Sequence, residues 1–195
     1  MGRAAGGNRR GRTGAGDDAI QPIYTEEHAL AAWRLSRPIP LGEWFEPAPG
    51  FRIRLWNAGH ILGSSSVELE AEGVRLLYSG DVGPDNKAFQ VDPESPAGFD
   101  YVICESTYGD RQHPSQKLFA ELGPLLHKLA ARGGVAVVPV FAVGRAQAIL
   151  HTIAQLKAAG TIPRSLPIFL DSPMAIHTTA LFERHLGEHR LSEQE

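Results

Sequence analysis

Apolar and polar side chains alternate along residues 51–55, where Phe51, Ile53 and Leu55 are separated by two arginines. This period of two is typical of a strand with one buried face. Similar short apolar runs predict further strands at residues 43–45, 67–70, 74–78 and 101–104. Because only Ala71-Glu72-Gly73 separates the strands at 67–70 and 74–78, these two are expected to form a hairpin. The first part of the chain is therefore predicted to be mostly β-structure.

The apolar pattern changes to a helical period near Pro114. Large apolar side chains then recur at spacings of three and four along residues 115–132, which predicts an amphipathic helix. Further helices are predicted at residues 26–35 (capped by Thr25), 145–159 and 174–186, and buried strands at residues 135–140 and 168–170. Helices that alternate with strands indicate an α/β arrangement with a parallel sheet. We therefore expect a domain boundary near residue 112, between a β-rich domain at 21–111 and an α/β domain at 112–195.

Composition narrows the class of protein. Residues 2–18 are rich in glycine and arginine and have no large apolar side chain, so a disordered leader is expected over residues 1–20. The formal net charge of -3 gives no global basic excess, so any role with nucleic acid must come from a local site. The single cysteine, Cys104, excludes an intrachain disulfide framework and fits the reducing cytoplasm. Every apolar run is shorter than the roughly 20 residues of a membrane helix.

Two glycine-framed loops carry candidate ligands. His60 lies in Asn57–Ser64 after one predicted strand, and Asp81 lies in Tyr78–Gly83 after the hairpin. Glycines on both sides suit a loop that presents one side chain at a sheet edge. Imidazole and carboxylate are ligands that zinc accepts, and a carboxylate can bridge two metals. From these residues alone, an ordinary Gly-Asp turn and a hydrogen-bonding histidine remain the simpler interpretation.

Five motifs in a fixed order change that interpretation. They are GHILGS at 59–64, YSGD-G at 78–83, ESTYGDR at 105–111, FAVGRAQ at 141–147 and LDSPMA at 170–175. In this order and spacing, the chain from about Pro22 to His185 resembles the β-CASP group of metallo-β-lactamase-fold nucleases. That group includes the cleavage endonuclease of mRNA 3′-end processing and its bacterial and archaeal relatives. The resemblance implies a partial metallo-β-lactamase αββα fold followed by the start of a β-CASP α/β cap domain.

The resemblance also implies roles for individual residues. His60 would ligate one zinc ion, and Asp81 would bridge two zinc ions and take part in catalysis. Glu105 would orient a histidine from outside this chain, which protonates the leaving oxygen. The two zinc ions would polarise the scissile phosphate of single-stranded RNA, for endo- or exonucleolytic cleavage.

The start of the predicted helix at 145–159 is a further candidate site. Gly144 and Arg145 would present backbone N–H groups and a guanidinium to an RNA phosphate. The equally favoured alternative is a buried Arg145 that ties the helix to the sheet.

Parts of the family's metal site have no counterpart in the sequence. The motif H-x-H-x-D-H and the histidines of the last family motifs do not occur among the 195 residues. A zinc site needs at least three protein ligands, and His60 and Asp81 supply two. We therefore expect weak or no zinc binding, no activity of the chain alone, and exposed apolar surface with low stability. His185 and His189 lie four residues apart with no further ligand, and are expected to be surface histidines.

Two alternatives to a ribonuclease fragment remain. One is a non-catalytic RNA-binding or scaffold paralogue of the same family, although such a protein has no need of His60, Asp81 and Glu105 together. The other is a metallo-β-lactamase-fold hydrolase of small esters or thioesters, although those enzymes have no β-CASP cap. The expected partner is single-stranded RNA, with no membrane, and a homodimer of the full-length protein is a further expectation.

Overall fold

The computed structural model describes residues 22–87, 90–112 and 118–191, which form parts of two compact units, 1–39 and 40–195. The described part of the first unit contains helix α1 (Glu26–Leu35). The second unit contains strands β1 (Trp44–Ala48), β2 (Phe51–Asn57), β3 (Ser65–Ala71), β4 (Val74–Tyr78) and β5 (Tyr101–Ile103), and helices α2 (Leu118–Ala131), α3 (Arg145–Ala158) and α4 (Pro173–Arg184). The predicted disordered leader lies outside the described residues. No helix in the described ranges is long and apolar enough to cross a membrane.

Helix α1 begins where the sequence predicted it. The Thr25 side chain accepts a hydrogen bond from the His28 backbone N–H, and the His28 ring accepts one from the Thr25 backbone N–H. This reciprocal pair satisfies two of the N–H groups that a helix start leaves without a partner. Glu26 and Glu27 add negative charge in the first turn, which the helix dipole favours.

The five strands form one sheet in chain order, with β1 to β4 antiparallel and β5 parallel to β4. Ala71 pairs with Val74, so the hairpin between β3 and β4 closes in two residues, one fewer than predicted. Those residues, Glu72 and Gly73, both have positive φ, at 51° and 77°. A two-residue turn with two positive φ angles matches the right-handed twist of the strands that it joins, which explains why the hairpin closes so tightly.

The apolar core of the helical part lies between α2 and α3. Leu126, Ile153, Leu156 and Ile162 are buried together. A Cβ atom on Gly123 would lie 3.0 Å from the Leu156 side chain, so glycine lets the α2 backbone approach this core closely. The three helices expected in this part of the chain are confirmed to within a few residues at each end.

The strands predicted at residues 135–140 and 168–170 are wrong. Val135 is 85%, Val137 87% and Phe169 86% exposed, and no described strand pairs with either segment. An apolar run becomes a strand only when a neighbouring strand accepts and donates its backbone hydrogen bonds. These two segments therefore form no parallel sheet with the described residues, although the mixed α/β class is confirmed. The domain boundary near residue 112 remains a prediction.

Glu68 on β3 is fully buried, and three side chains from the adjacent strands bind it. Arg54 donates from Nε and Nη2 to one carboxylate oxygen at 3.0 and 2.9 Å, and Trp56 Nε1 donates to the same oxygen at 2.8 Å. Arg75 donates to the other oxygen at 3.2 and 2.6 Å. Burial alone would raise the pKa of Glu68, but these bonds outweigh it and hold the pKa below its usual value. One carboxylate therefore links β2, β3 and β4.

This link makes stability depend on the charge of Glu68. Because the folded pKa is lowered, the carboxylate stabilises the fold above the unfolded pKa of about 4.3. That contribution is lost as the pH falls through the folded pKa.

We predict that Glu68→Gln lowers the free energy of unfolding by about 3 kcal/mol, because it leaves Arg54 and Arg75 without a buried counter-ion. Urea denaturation at pH 7 measures this loss. Glu70→Gln is the matched control: it lies on the same strand and breaks the more exposed pair with Arg52, so it should cost about 1 kcal/mol or less. Equal losses in the two variants would contradict the role assigned to Glu68.

Candidate functional site

His60 lies on the loop between β2 and β3, which short polar contacts hold closed. The Ala58 N–H donates to the Ser64 carbonyl at 3.0 Å, and the Ser64 N–H donates to the Ile61 carbonyl at 3.0 Å. Ser64 Oγ accepts from the N–H groups of His60 and Ile61, at 2.9 and 3.2 Å. The backbone at His60 is thereby fixed, while the His60 side chain is exposed.

Asp81 lies on the loop after β4, and hydrogen bonds of Ser79 fix the backbone of that loop. The Ser79 N–H donates to the Ile103 carbonyl at 2.9 Å, and Ser66 Oγ donates to the Ser79 carbonyl at 2.7 Å. Gly80 has a φ of 57°, and a Cβ atom there would lie 2.8 Å from the Ser65 carbonyl oxygen. Only glycine suits both conditions, which explains the residue before Asp81. Asp81 itself is exposed.

The loops of His60 and Asp81 touch through their backbones. The Gly83 N–H donates to the Ala58 carbonyl at 2.8 Å, and a Cβ atom on Gly83 would overlap the Gly59 carbonyl oxygen. No residue with a side chain fits at this position without a shift of the backbone. The glycine two residues after Asp81 therefore lets the neighbouring loop approach, and both candidate ligands lie on loops at the same end of the sheet, where β2 and β4 end.

Glu105, just after β5, holds the Asp81 loop from its other side. Its carboxylate accepts from the Val82 N–H at 2.5 Å, and its own N–H donates to Ser79 Oγ at 2.9 Å. The Val82 bond, a bond from the Thr107 hydroxyl and the nearby His60 charge hold the pKa of Glu105 below its usual value. Glu105 is thus an ionised acceptor next to Asp81 at neutral pH. The orienting role expected from the family remains a prediction.

The start of α3 approaches the same loops. A Cβ atom on Gly144, whose φ is 75°, would lie 3.2 Å from Cγ2 of Ile61, the residue after His60. Arg145 is exposed, so the buried arginine weighed as an alternative is not found. The N–H groups of Arg145 and Ala146 already donate to the carbonyls of Val143 and Phe141. The exposed guanidinium, rather than these two amides, is therefore what Arg145 offers to an anion.

Sequence reasoning missed Lys87. Its ammonium donates to the carbonyls of Gly59 and His60, at 3.0 and 2.7 Å, and to Oε1 of Gln90 at 2.8 Å. Burial, followed by the charge of Arg145, lowers the pKa of Lys87. A lysine among proline, aspartate and asparagine reads as surface in a sequence, and nothing in the local pattern marks its long-range partners.

The expectation for His189 is wrong, because this histidine is buried. Its Nδ1 accepts from the Leu191 N–H at 3.2 Å, so Nε2, which lies 2.9 Å from the Phe182 carbonyl, carries the proton. His189 also bridges to Gln90 in an isolated antiparallel pair. It is a structural residue of the second unit.

The described residues do not complete a metal site. No group of three or more histidine, cysteine, aspartate or glutamate side chains in those ranges is arranged to hold a metal ion. His60 and Asp81 are of the right chemical type for zinc, but two donors fall short of the three protein ligands that a zinc site needs. On their own, these residues do not fit a two-zinc centre.

We predict that Gly83→Ala lowers the free energy of unfolding by about 2 kcal/mol or more, because the new methyl group collides with the Gly59 carbonyl. Gly187→Ala is the control, since a Cβ atom there meets nothing within 4 Å and no unusual φ is needed. It should change stability by less than about 0.5 kcal/mol. Urea denaturation measures both values, and a Gly83→Ala chain as stable as the control would disprove the close approach of the loops.

Comparison with known proteins relates the sequence of this chain to a protein family. The Beta-Casp domain family matches residues 146–195. A ribonuclease of Thermus thermophilus is 38% identical over 165 residues, which cover 84% of this chain and 37% of the relative. The RNase J-like protein of Methanocaldococcus jannaschii is 36% identical over 173 residues, covering 86% of this chain and 40% of that protein.

A eukaryotic protein shows the same relationship. The endoribonuclease YSH1 of Mycosarcoma maydis is 32% identical over 174 residues, covering 88% of this chain and 20% of the relative. The chain thus spans between a fifth and two fifths of the length of these three relatives. All three align across most of the chain, including the loops of His60 and Asp81. The chain therefore belongs to the β-CASP family of the metallo-β-lactamase superfamily.

Proposed function

We propose that this chain supplies part of the RNA-cleaving site of a β-CASP ribonuclease, through His60, Asp81 and Glu105. The observation that carries the proposal is the backbone contact between two loops, in which Gly83 donates to Ala58. That contact holds together the loops of a histidine and a carboxylate at one end of the sheet. The three relatives named as a ribonuclease, an RNase J-like protein and an endoribonuclease support the reaction class.

Zinc dependence is part of this proposal. His60 and Asp81 would each give one donor to a metal centre, and the remaining ligands would come from outside the described residues. Zinc in such a centre would supply a Lewis acid for a phosphate oxygen. Within this chain, Glu105 has a separate role, because as an ionised acceptor it holds the Val82 N–H and so fixes the residue next to Asp81.

RNA would be bound through local charge. The chain has a net charge of -3, so attraction for a phosphate must come from exposed cations near the loops. Arg145 is exposed at the start of α3 and lies near enough to Lys87 to influence its ionisation. Guanidinium groups bind phosphate through two parallel N–H bonds, which makes Arg145 the proposed contact.

The single cysteine, Cys104, supports a cytoplasmic location.

We predict that the isolated chain holds little zinc and cleaves no single-stranded RNA, whereas a chimera binds zinc and cleaves single-stranded RNA. In the chimera, the aligned part of this chain replaces the corresponding 165 residues of the Thermus ribonuclease. His60→Ala and Asp81→Ala should each lower its zinc content and reduce its cleavage rate by about a hundredfold or more. Metal analysis and cleavage of a labelled oligonucleotide measure these effects.

His177→Ala is the control for that experiment. His177 is exposed on α4, an element that carries neither loop, so its loss should leave zinc content and cleavage unchanged. A folded, active chimera that tolerates His60→Ala and Asp81→Ala would overturn the assignment. Stoichiometric zinc in the isolated chain, with cleavage lost in both variants, would show that other ligands complete its site.

We predict that Arg145→Ala weakens binding of single-stranded RNA by severalfold and lowers the slope of log K against log salt by about 0.7, the contribution of one phosphate contact on a single strand. Fluorescence anisotropy at several salt concentrations measures both quantities. Arg164→Ala removes the same charge from another exposed position and should leave the slope unchanged. Equal effects of the two variants would show that Arg145 contributes only to the net charge of the chain and makes no specific contact with the RNA phosphate.

A non-catalytic RNA-binding paralogue is the second candidate. No group of three or more histidine, cysteine, aspartate or glutamate side chains in the described residues is arranged to hold a metal ion, which favours this candidate. A folded chimera that binds RNA through Arg145 but neither holds zinc nor cleaves would support this candidate over the ribonuclease. The hydrolase of small esters is disfavoured, because the match at residues 146–195 is to the Beta-Casp domain.

A further inference from the structure

The ammonium of Lys87 lies at the centre of a three-acceptor site formed largely by the His60 loop. It donates to the Gly59 carbonyl, the His60 carbonyl and Oε1 of Gln90, at 3.0, 2.7 and 2.8 Å. An ammonium has three N–H groups, so each finds one acceptor here. With all three donors in use, Lys87 has none left for an RNA phosphate, and its role must be internal.

The two carbonyls belong to the two peptide groups on either side of the His60 α-carbon. One ammonium therefore fixes the orientation of both peptide planes. The His60 N–H is held as well, by Ser64 Oγ at 2.9 Å. Backbone rotation at His60 is thus restrained from three directions, and only the side-chain torsions remain free to direct the imidazole.

Lys87 is itself anchored through its surroundings. The Asn86 N–H donates to Asp92 at 2.7 Å, and Arg190 binds the same carboxylate at 2.6 Å. Gln90, which accepts a hydrogen bond from the ammonium, pairs through its backbone with the buried His189. The segment from which Lys87 projects is therefore held in place by contacts with residues far along the chain. A mobile surface lysine has no such anchor.

We propose that Lys87 is a positioning residue, whose ammonium fixes the backbone from which His60 projects. This proposal rests on the proposed function in one respect, which is that His60 serves as a metal ligand. The restraint on the loop itself can be measured without RNA and without metal. It assigns a role to a residue outside the five family motifs.

Amide hydrogen exchange of the chain tests the restraint. In a Cys104→Ser background, Lys87→Cys leaves one thiol, which is alkylated either with bromoethylamine, giving a side chain that ends in an ammonium, or with iodoacetamide, giving a neutral one. The amides of Ala58, Ser64 and Gly83 report on the loop, because each donates within it or to it. The neutral form should exchange at these amides about tenfold faster than the ammonium form, with β3 and β4 unchanged.

Lys157→Cys, alkylated in the same two ways, is the matched control. Lys157 also donates to a backbone carbonyl, that of Leu166 at 2.6 Å, but on α3 and far along the chain from the His60 loop. Its neutral form should not alter exchange at Ala58, Ser64 or Gly83. Equal loop exchange in the two Lys87→Cys forms would overturn the proposal, as would a general loss of protection throughout β3 and β4.

The outcomes separate this proposal from the proposed function. Faster loop exchange in the neutral form supports positioning by Lys87 even if the chimera proves inactive. Slow exchange in both forms rejects it even if His60→Ala abolishes cleavage. As a second readout in an active chimera, the neutral form should lower kcat more than it raises KM, and the ammonium form should restore kcat.

Discussion

The buried carboxylate of Glu68 is the interaction on which the β-sheet and both candidate loops depend. It lies on the central strand β3 and binds arginines from β2 and β4, so it joins three strands through one side chain. The loops of His60 and Asp81 begin where β2 and β4 end, and a slip of one residue would turn every side chain to the opposite face. A charge that is satisfied only by this pairing makes such a slip costly.

Aromatic rings extend the same polar face of the sheet. The Arg54 guanidinium lies 4.6 Å from the Trp44 ring and 4.3 Å from the Trp56 ring, and Arg52 lies 4.5 Å from Trp44. Arginine stacked on tryptophan keeps its hydrogen bonds while it covers apolar surface. This face of the sheet is thus organised by charge and ring contacts, whereas the apolar core lies between α2 and α3.

Polar contacts also build the candidate site. Ser64 and Ser79 each bind backbone groups of their own loops, Glu105 binds Val82, and Lys87 binds Gly59 and His60. These contacts fix the backbone and leave the side chains of His60 and Asp81 exposed. A fixed backbone lowers the conformational entropy that the binding of a ligand at such a site would cost.

The sequence by itself determined most of the local elements of this protein and the family to which it belongs. A period of two marked β2 and the hairpin, a helical period marked α2 to α4, and five short motifs in order marked the β-CASP family. Glycines around a single ligand indicated His60 and Asp81, and the resemblance to the family indicated Glu105 as well. Their catalytic and metal-binding roles remain predictions.

Only the tertiary structure decided which groups meet. Among the described residues, it left the apolar segments at 135–140 and 168–170 without strand partners, buried His189 and exposed Arg145. It also placed the ammonium of Lys87 between two carbonyls of the His60 loop. The reason is physical: periodicity reports which face of a segment is apolar, whereas pairing and burial depend on groups far along the chain. Lys87 and Gly59 are 28 residues apart, and no local pattern records such a contact.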